Sequence, residues 1–546
     1  MPPASSRFFR VFLTVAILAN LTGLGLIILG PDGSLYASIA KTMAVNNDFV
    51  NLYGNGSDWL DKPHFPFWIT ALSFKIFGIH YWSYKLPAIL FLSLGAWYTY
   101  RFAKALYNEE VGQWSTLMLL SALHILVSSM DVRAEPYLLA LVIGATFHFY
   151  RSLTEKGIRH LLLGSLLAAC ALMTKGIFAL IPIGAAIGGH LLMTTQWKKI
   201  FSARWLLAAL FISIGILPEL YTLYMQFDMH PEKTVFGRKN VSGIRFFFWD
   251  SQFGRFFNTG PIKGKGDPFF FVHTMLWAFL PWSVMLFIAL YQKTWDAFRR
   301  PLAGEWYCFF GAMASFLIFS LSRFQLPHYL NIIFPFFAIL TANWLQKIQF
   351  TVAGSRMRVF QVGLMSLMAI LPIALHVFYQ PEGFSVSFWA GAIMVLFLGY
   401  WLIRRVEYSA MQRMIALGVL SMAWIFIYLN GLFYPDLLKY QGGTHVARYL
   451  NREHPGLPVY QFGDQYSYTL EFDVDQPLKR MYTLSDTATL SRPFALVVKK
   501  NEDPGFGRPP VVSVPSFPIA KLNGKFLNPR KRADQLEAFQ VYIFRK

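Results

Sequence analysis

A chain of 546 residues that is 55% hydrophobic and only 14% charged is too apolar for a large soluble protein, in which about a quarter of residues carry charge. Lipid is therefore its main solvent. The formal charge of +20 does not point to nucleic acid, because much of the excess falls in short connections between apolar runs and no nucleic-acid-reading motif occurs. Cys170 and Cys308 both lie within apolar runs, so they supply neither a disulfide framework nor a metal knuckle.

Apolar runs of about 17 to 25 residues recur from Val11 to Tyr434, each long enough to cross a hydrocarbon core of about 30 Å as a helix. They predict about thirteen transmembrane helices, at 8–30, 84–104, 111–130, 135–150, 160–174, 176–195, 203–224, 269–291, 305–322, 328–346, 357–379, 387–403 and 411–433. The first follows Arg7 and Arg10, lacks a small-x-small cleavage pattern and runs into Gly30-Pro31-Asp32, so it reads as a retained helix. Basic clusters occupy alternate connections: Arg101 and Lys104; Arg151, Lys156 and Arg159; Lys198, Lys199 and Arg204; Lys293, Arg299 and Arg300; Lys347, Arg356 and Arg358; Arg404, Arg405 and Arg413. A cytoplasmic amino terminus puts them all inside, as the positive-inside bias requires. An odd number of spans then places the carboxy-terminal segment outside.

Three regions lie outside the spans. Residues 31–83 form a long first external loop with helical apolar spacing at Tyr36, Ile39, Ala40 and Met43, which predicts a helix along the interface with its apolar face in lipid. Residues 225–268 form a second external loop rich in Arg, Lys, Gly and Phe. Residues 435–546 alternate a helical stretch at 444–451 with the strand-like runs VYQF, SYTLEFDV, FALVVKK and FQVYIF, separated by Pro, Gly and Asp. The expected organisation is a polytopic α-helical membrane domain over 1–434 and a small soluble α/β domain over 435–546.

Charged residues are expensive near the bilayer, and five groups of them stand out. These are Asp32 in GPDGSLY; Asp61, Lys62 and His64 in DKPH; Asp131, Arg133 and Glu135 in DVRAEP; Lys175 in MTKG; and Arg323, His328 and Tyr329 in SRFQLPHY. Taken singly, each has a plainer reading. Asp32 suits a helix N-terminus, 61–64 a turn held by Pro63, Glu135 or Asp131 a pairing with Arg133, and Lys175 a side chain snorkelling to headgroups. Together they fall on one side of the membrane. A cluster of acids and cations at the outer interface suits a phosphate-bearing lipid substrate, the cations stabilising a phosphate and a carboxylate accepting a proton.

The ordered strings PDGSLYASIAKTM, WLDKPHFPFWI, AEPYLLAL, ALMTKGIFALIP and SRFQLPHYLNIIFPFFAIL cover landmarks through about the first 350 residues. In that combination the chain resembles the membrane glycosyltransferases that include the lipid A aminoarabinose transferases and, more distantly, the protein O-mannosyltransferases. The resemblance implies a GT-C fold and a polyprenyl-phosphate-linked monosaccharide donor, with no nucleotide sugar and no required cofactor. It implies that Asp32 is the catalytic carboxylate, that Glu135 takes the place of a family aspartate near the active site, and that Lys62, with Arg255 of FGRFF, holds the carrier phosphate. Lys175, Tyr36, Arg323 and Tyr329 become further pocket residues beside His64. Asp61 stands where a glutamate binds a metal in some relatives, but Gln252 falls near the place of the matching histidine, which makes Asp61 a weak metal candidate. The usual acid after the catalytic Asp is Gly33 here and the usual Arg is Leu35, so the sugar stays unnamed.

The expected reaction is an inverting displacement at the outer face of a bacterial cytoplasmic membrane. The acceptor would be lipid A, another glycolipid or polysaccharide, or a protein hydroxyl. A transporter or flippase of a lipid-linked sugar is the alternative; it would place its charges near the midplane rather than on one face. A noncatalytic scaffold is the third reading.

Overall fold

The structure, a computed structural model, describes the chain apart from residues 1–3, 300, 301, 303, 384, 484 and 546; Arg300, among the basic residues used for orientation, lies outside the described residues. Helix occupies each of the predicted apolar runs, but many are interrupted. Among the described residues, four single helices are long and apolar enough to cross a membrane: Pro327–Ile348, Val352–Tyr379, Val386–Arg404 and Ala410–Tyr440. Two further pairs qualify if each bent pair is one span, Glu109–Leu120 with Leu123–Met130 at 54° and Trp197–Gly215 with Leu217–Asp228 at 40°.

The difference from thirteen uniform spans has local causes. The 269–291 run is cut into Phe270–Ala278 and Ser283–Arg299 on either side of Pro281, which cannot donate to a helix. The helix Tyr81–Leu106 is long but carries Lys85, Arg101 and Lys104. The apolar helices Ile177–Met193 and Tyr307–Leu321 are shorter than 18 residues.

Burial separates centre from periphery. The most apolar stretch of Pro327–Ile348 is 89% buried within the protein, against 22% for Val352–Tyr379 and 17% for Val386–Arg404, so the latter two turn most of their surface to the surrounding lipid. Near the centre, Tyr81–Leu106 and Glu135–Thr154 approach closely because Gly95 lies over Ala140 and Gly144 under Tyr98, the small-residue contact that lets membrane helices meet.

In the 31–83 connection, Pro31 at the first helical position starts the helix Pro31–Asn46, and Asn47 in the left-handed region (φ 54°) ends it. The apolar face expected to lie in lipid is instead covered by protein: Ile39, Ala40 and Met43 are buried in the main core. The chain then forms a short hairpin, β1 (Tyr53–Gly54) with β2 (Ser57–Asp58), before the helix Phe65–Phe77.

The carboxy-terminal segment holds a mixed sheet of β3 (Val459–Phe462), β4 (Leu478–Met481), β5 (Phe494–Lys499), β6 (Val512–Ser516) and β7 (Glu537–Phe544), in the order β4-β3-β5-β7-β6. β3 runs parallel to β4 and β5, and β7 antiparallel to β5 and β6. Alternate residues of β5 enter opposite cores, Ala495 and Val497 against Val446 and Leu450 of the helix Gly442–Glu453, and Phe494, Leu496 and Val498 against Tyr542 and Phe544. One expected strand is a helix: SYTLEFDV forms Tyr468–Asp473, because the Ser467 hydroxyl caps the Leu470 amide and Leu470 and Phe472 are both buried. This helix docks on the helix that carries Asp32. Lys41 donates to the carbonyls of Phe472 (2.8 Å) and Val474 (2.5 Å), and the Tyr81 hydroxyl donates to Asp473 at 2.6 Å.

Candidate active site

The site is assembled from helix ends. Asp32 lies in the first turn of Pro31–Asn46, Glu135 opens Glu135–Thr154, Lys175 closes Arg159–Lys175, and His328 and Tyr329 lie in the 3-10 turn before Phe334–Ile348. Helix ends leave backbone groups unpaired and bring side chains to the interface, so the chemistry gathers at one end of the helices rather than at their middles.

Arg133 is the hub of one half. Its guanidinium contacts Asp32 at 2.9 Å, Asp131 at 3.0 Å and His328 Nδ1 at 3.2 Å, reaching three different elements. Burial works against its charge, but the carboxylates of Asp131, Asp32 and Glu135 outweigh it and hold Arg133 firmly protonated. Because Arg133 only donates, His328 Nδ1 accepts, and the ring proton sits on Nε2, facing Glu135 at 3.7 Å. Asp32 itself is half-exposed, open to a substrate on its free side.

Asp131 also bears on the departure at Gly33 in the first loop. A side chain at Gly33 would meet Asp131 Oδ1 at 3.0 Å, and one at Gly30 would meet it at 2.6 Å. An acid at position 33 would thus collide with a carboxylate already there.

The other half is a cleft whose described lining includes Lys62, Lys175, Arg255 and Tyr329, with Asp61 as the one acidic residue among them. Lys175 is tied to buried Glu135 at 2.6 Å and lies 3.7 Å over the Tyr329 ring. Asp61 accepts from Lys62 at 2.6 Å and from Arg255. The Arg255 Nε is buried without a hydrogen-bond partner, and burial pushes its guanidinium below the usual arginine range. With Lys175 paired to Glu135, and Lys62 and Arg255 sharing Asp61, three cations face two carboxylates, and this excess positive charge in a low-dielectric cleft favours a further negative charge. Gly176 shapes this wall: its φ of +86° and the Gln252 amide lying where a Cβ would go both require glycine.

Of the remaining expected residues, Tyr36 lies within reach of the charges of Lys62, Glu135, Asp32 and Arg133, whereas His64 and Arg323 do not line the cleft. Tyr36 is packed edge-on between Trp59 and Phe67, and burial pushes its phenol up to about 12, so it stays protonated. His64 is fully buried and does not line the cleft, since Glu219 and Val50 engage its ring. Arg323 is exposed, although its neighbours Ser322 and Phe324 line the cleft. Asp61 does not fit a divalent ion, because its oxygens already accept from two cations; among the described residues no group of three or more His, Cys, Asp or Glu is arranged to hold one. The sequence motifs included Asp131 and His328 without giving either a role at the site, and Glu219 was passed over. Glu219 had a visible signal, an acid inside an apolar run.

Comparison with known proteins agrees with this architecture. Residues 61–221 match the family of dolichyl-phosphate-mannose-protein mannosyltransferases. An uncharacterized protein of Aquifex aeolicus is 23% identical over 479 residues, 86% of each chain. An undecaprenyl phosphate-alpha-4-amino-4-deoxy-L-arabinose arabinosyl transferase of Pseudomonas aeruginosa is 24% identical over 389 residues, 68% of this chain and 65% of that protein. Among solved structures, that of ArnT from Cupriavidus metallidurans bound to undecaprenyl phosphate superposes with a TM-score of 0.71 at 20% identity, covering 91% of this chain and 94% of the other. The same protein in its apo state superposes with a TM-score of 0.70.

Proposed function

We propose, starting from the chain's membership of the superfamily of GT-C fold membrane glycosyltransferases that embraces the aminoarabinose and protein mannosyl transferases, that it moves a monosaccharide from a polyprenyl phosphate to an envelope acceptor. The observation that carries this reading is the cleft in which Lys62, Lys175 and Arg255 converge with a net positive charge, linked to Asp32 through Glu135, His328 and Arg133. The singly charged phosphodiester of a polyprenyl-phosphate sugar balances that excess. The name of the Pseudomonas relative and the lipid bound to the Cupriavidus protein support undecaprenyl phosphate as the carrier. Lipid A, another glycolipid or polysaccharide, or a protein hydroxyl is the acceptor.

In this reaction an acceptor hydroxyl approaches the anomeric carbon from the side opposite the phosphate. Asp32, oriented by Arg133, takes the hydroxyl proton as the new carbon–oxygen bond forms and the bond to the phosphate oxygen breaks. The polyprenyl phosphate leaves with the bonding pair, and Lys62, Arg255 and Lys175 stabilise its added charge. Glu135 sets the position of Lys175. Configuration at the anomeric carbon inverts. Most of the acceleration comes from positioning and charge neutralisation, because a phosphate is already a fair leaving group.

The membrane arrangement belongs to the same proposal: thirteen spans, a cytoplasmic amino terminus, and the site and a 435–546 domain outside the cytoplasmic membrane. The test is transfer by the purified protein in detergent, from a polyprenyl-phosphate sugar to lipids of a membrane extract, with no transbilayer gradient. Sugar-bearing lipid product is expected. Translocation of the donor in vesicles without any transfer would establish the carrier instead.

A further inference from the structure

We propose that His64 and Glu219 are positioning residues for donor binding: a fully buried imidazole–carboxylate pair that holds one proton between them and clamps the Lys62 turn to the helix Leu217–Leu223. The inference rests on Lys62 binding the donor phosphate, as proposed above.

The pair is built for holding rather than for contact. Neither side chain has any exposed surface. Glu219 uses both oxygens on one residue, Oε2 accepting the His64 backbone N–H at 3.0 Å and Oε1 facing His64 Nδ1 at 3.0 Å. On the far side of the ring, Nε2 meets the Val50 carbonyl at 3.0 Å. A carbonyl only accepts, so Nε2 carries a hydrogen. The Thr222 hydroxyl, 3.3 Å from Nδ1, is 2.9 Å from the Glu219 carbonyl, to which it donates. A second proton must therefore lie on the line between Nδ1 and the carboxylate, on one atom or the other. Without it, two acceptors would face each other in a buried site, and each would lack its partner.

This clamp is one of two on the same helix face. Seven residues on from Glu219, Gln226 accepts the Leu52 N–H at 2.9 Å and donates to the Leu52 carbonyl at 2.8 Å and to Asp58 at 2.9 Å. Glu219 and Gln226 are about two turns apart and hold the two ends of the hairpin segment that delivers Asp61 and Lys62 to the cleft. Between Lys62 and His64 stands only Pro63, whose ring restricts the backbone. Movement of His64 passes to Lys62 with little slack.

The experiment uses the full chain in detergent and two readouts, the KM for a polyprenyl-phosphate sugar and hydrogen exchange in the 58–66 segment. Glu219→Leu is expected to raise KM by about ten- to a hundredfold with kcat within about twofold, and to speed exchange in that segment. Glu219→Gln can donate to Nδ1 and accept the His64 amide, so it is expected to restore both to near wild type. If Glu219→Leu does not fold, Glu219→Asp, too short to reach both groups, replaces it with the same expectation. A folded Glu219→Leu or Glu219→Asp with unchanged KM would overturn the positioning role, whatever its exchange rate, as would a Glu219→Gln as defective as either. Failure of the wild type to transfer from any donor would refute the functional reading instead, while unchanged exchange in the variants would refute the clamp itself.

Discussion

Exchanging Glu135 for glutamine keeps the side chain's shape and removes its charge, leaving Lys175 without its counter-ion. Two unit charges 2.6 Å apart attract by about 6 kcal/mol at an effective dielectric of about 20. Desolvation offsets much of that in the intact pair, but removing one partner of a buried pair costs about 3 to 5 kcal/mol. The glutamine oxygen still accepts from Lys175, so Glu135→Gln should lie near the lower end, about 3 kcal/mol. Lys175→Met leaves Glu135 with only the His328 contact at 3.7 Å and should cost a similar amount. The double variant removes both charges, and its loss should fall short of the sum of the singles by about 2 kcal/mol. Thermal or denaturant unfolding of the four proteins in detergent measures this cycle. Donor binding separates the two groups: it should fail in both proteins lacking Lys175, including the double variant whose stability recovers. Stability losses that add to within about 0.5 kcal/mol would refute a coupled pair and with it the role of Glu135 in setting Lys175.

Lys62→Met and Arg255→Met each remove one charged partner of the phosphate, and each should raise the donor KM by about ten- to a hundredfold, read from initial rates. Asp61 keeps one cation in either case, so the thermal midpoint should move little. Gly176→Ala should cost about 1 to 3 kcal/mol and weaken donor binding, because the methyl group strains a positive-φ residue and displaces the Gln252 amide beside Lys175. In the carboxy-terminal segment, burial pushes the Glu471 carboxyl up to about 7, against the pull of Tyr466, the Asn55 and Gly56 amides and Lys41. Its folded value lies above its unfolded one, so its contribution is fully present below the unfolded value and lost as pH rises through about 7. Glu471→Gln should therefore stabilise the protein progressively more between about pH 5 and about pH 8, and melting curves showing a pH-independent difference would contradict that.

Periodicity was a good guide where local physics decides the outcome. Apolar runs became helices throughout, and VYQF, FALVVKK and FQVYIF became β3, β5 and β7, because each strand alternates its apolar side chains between two covered faces. It failed where tertiary context decides. SYTLEFDV alternates like a strand, yet a serine cap and a position between two cores, with Leu470 buried in one and Phe472 in the other, turn it into a helix docked on Lys41. The face of Pro31–Asn46 was read as lipid-facing because a sequence shows which side is apolar but not what covers it. Within the site, the acids and cations could be listed from their motifs, but their pairing could not: Arg133, already on Asp32, reaches His328 across 195 residues of chain, and Glu219 reaches His64 across 155. The departure at Gly33 becomes intelligible only when the 131–133 connection is seen to bring a carboxylate to the same helix end.

The most direct measurement of the central claim is single-turnover transfer from a labelled polyprenyl-phosphate sugar by wild-type protein and Asp32→Asn, with binding of the polyprenyl phosphate followed in parallel. The account predicts transfer slowed by about 10² to 10⁴-fold in the variant, with phosphate binding unchanged, because Asp32 lies outside the cation cleft. Transfer at the wild-type rate, or loss of phosphate binding together with transfer, would contradict it.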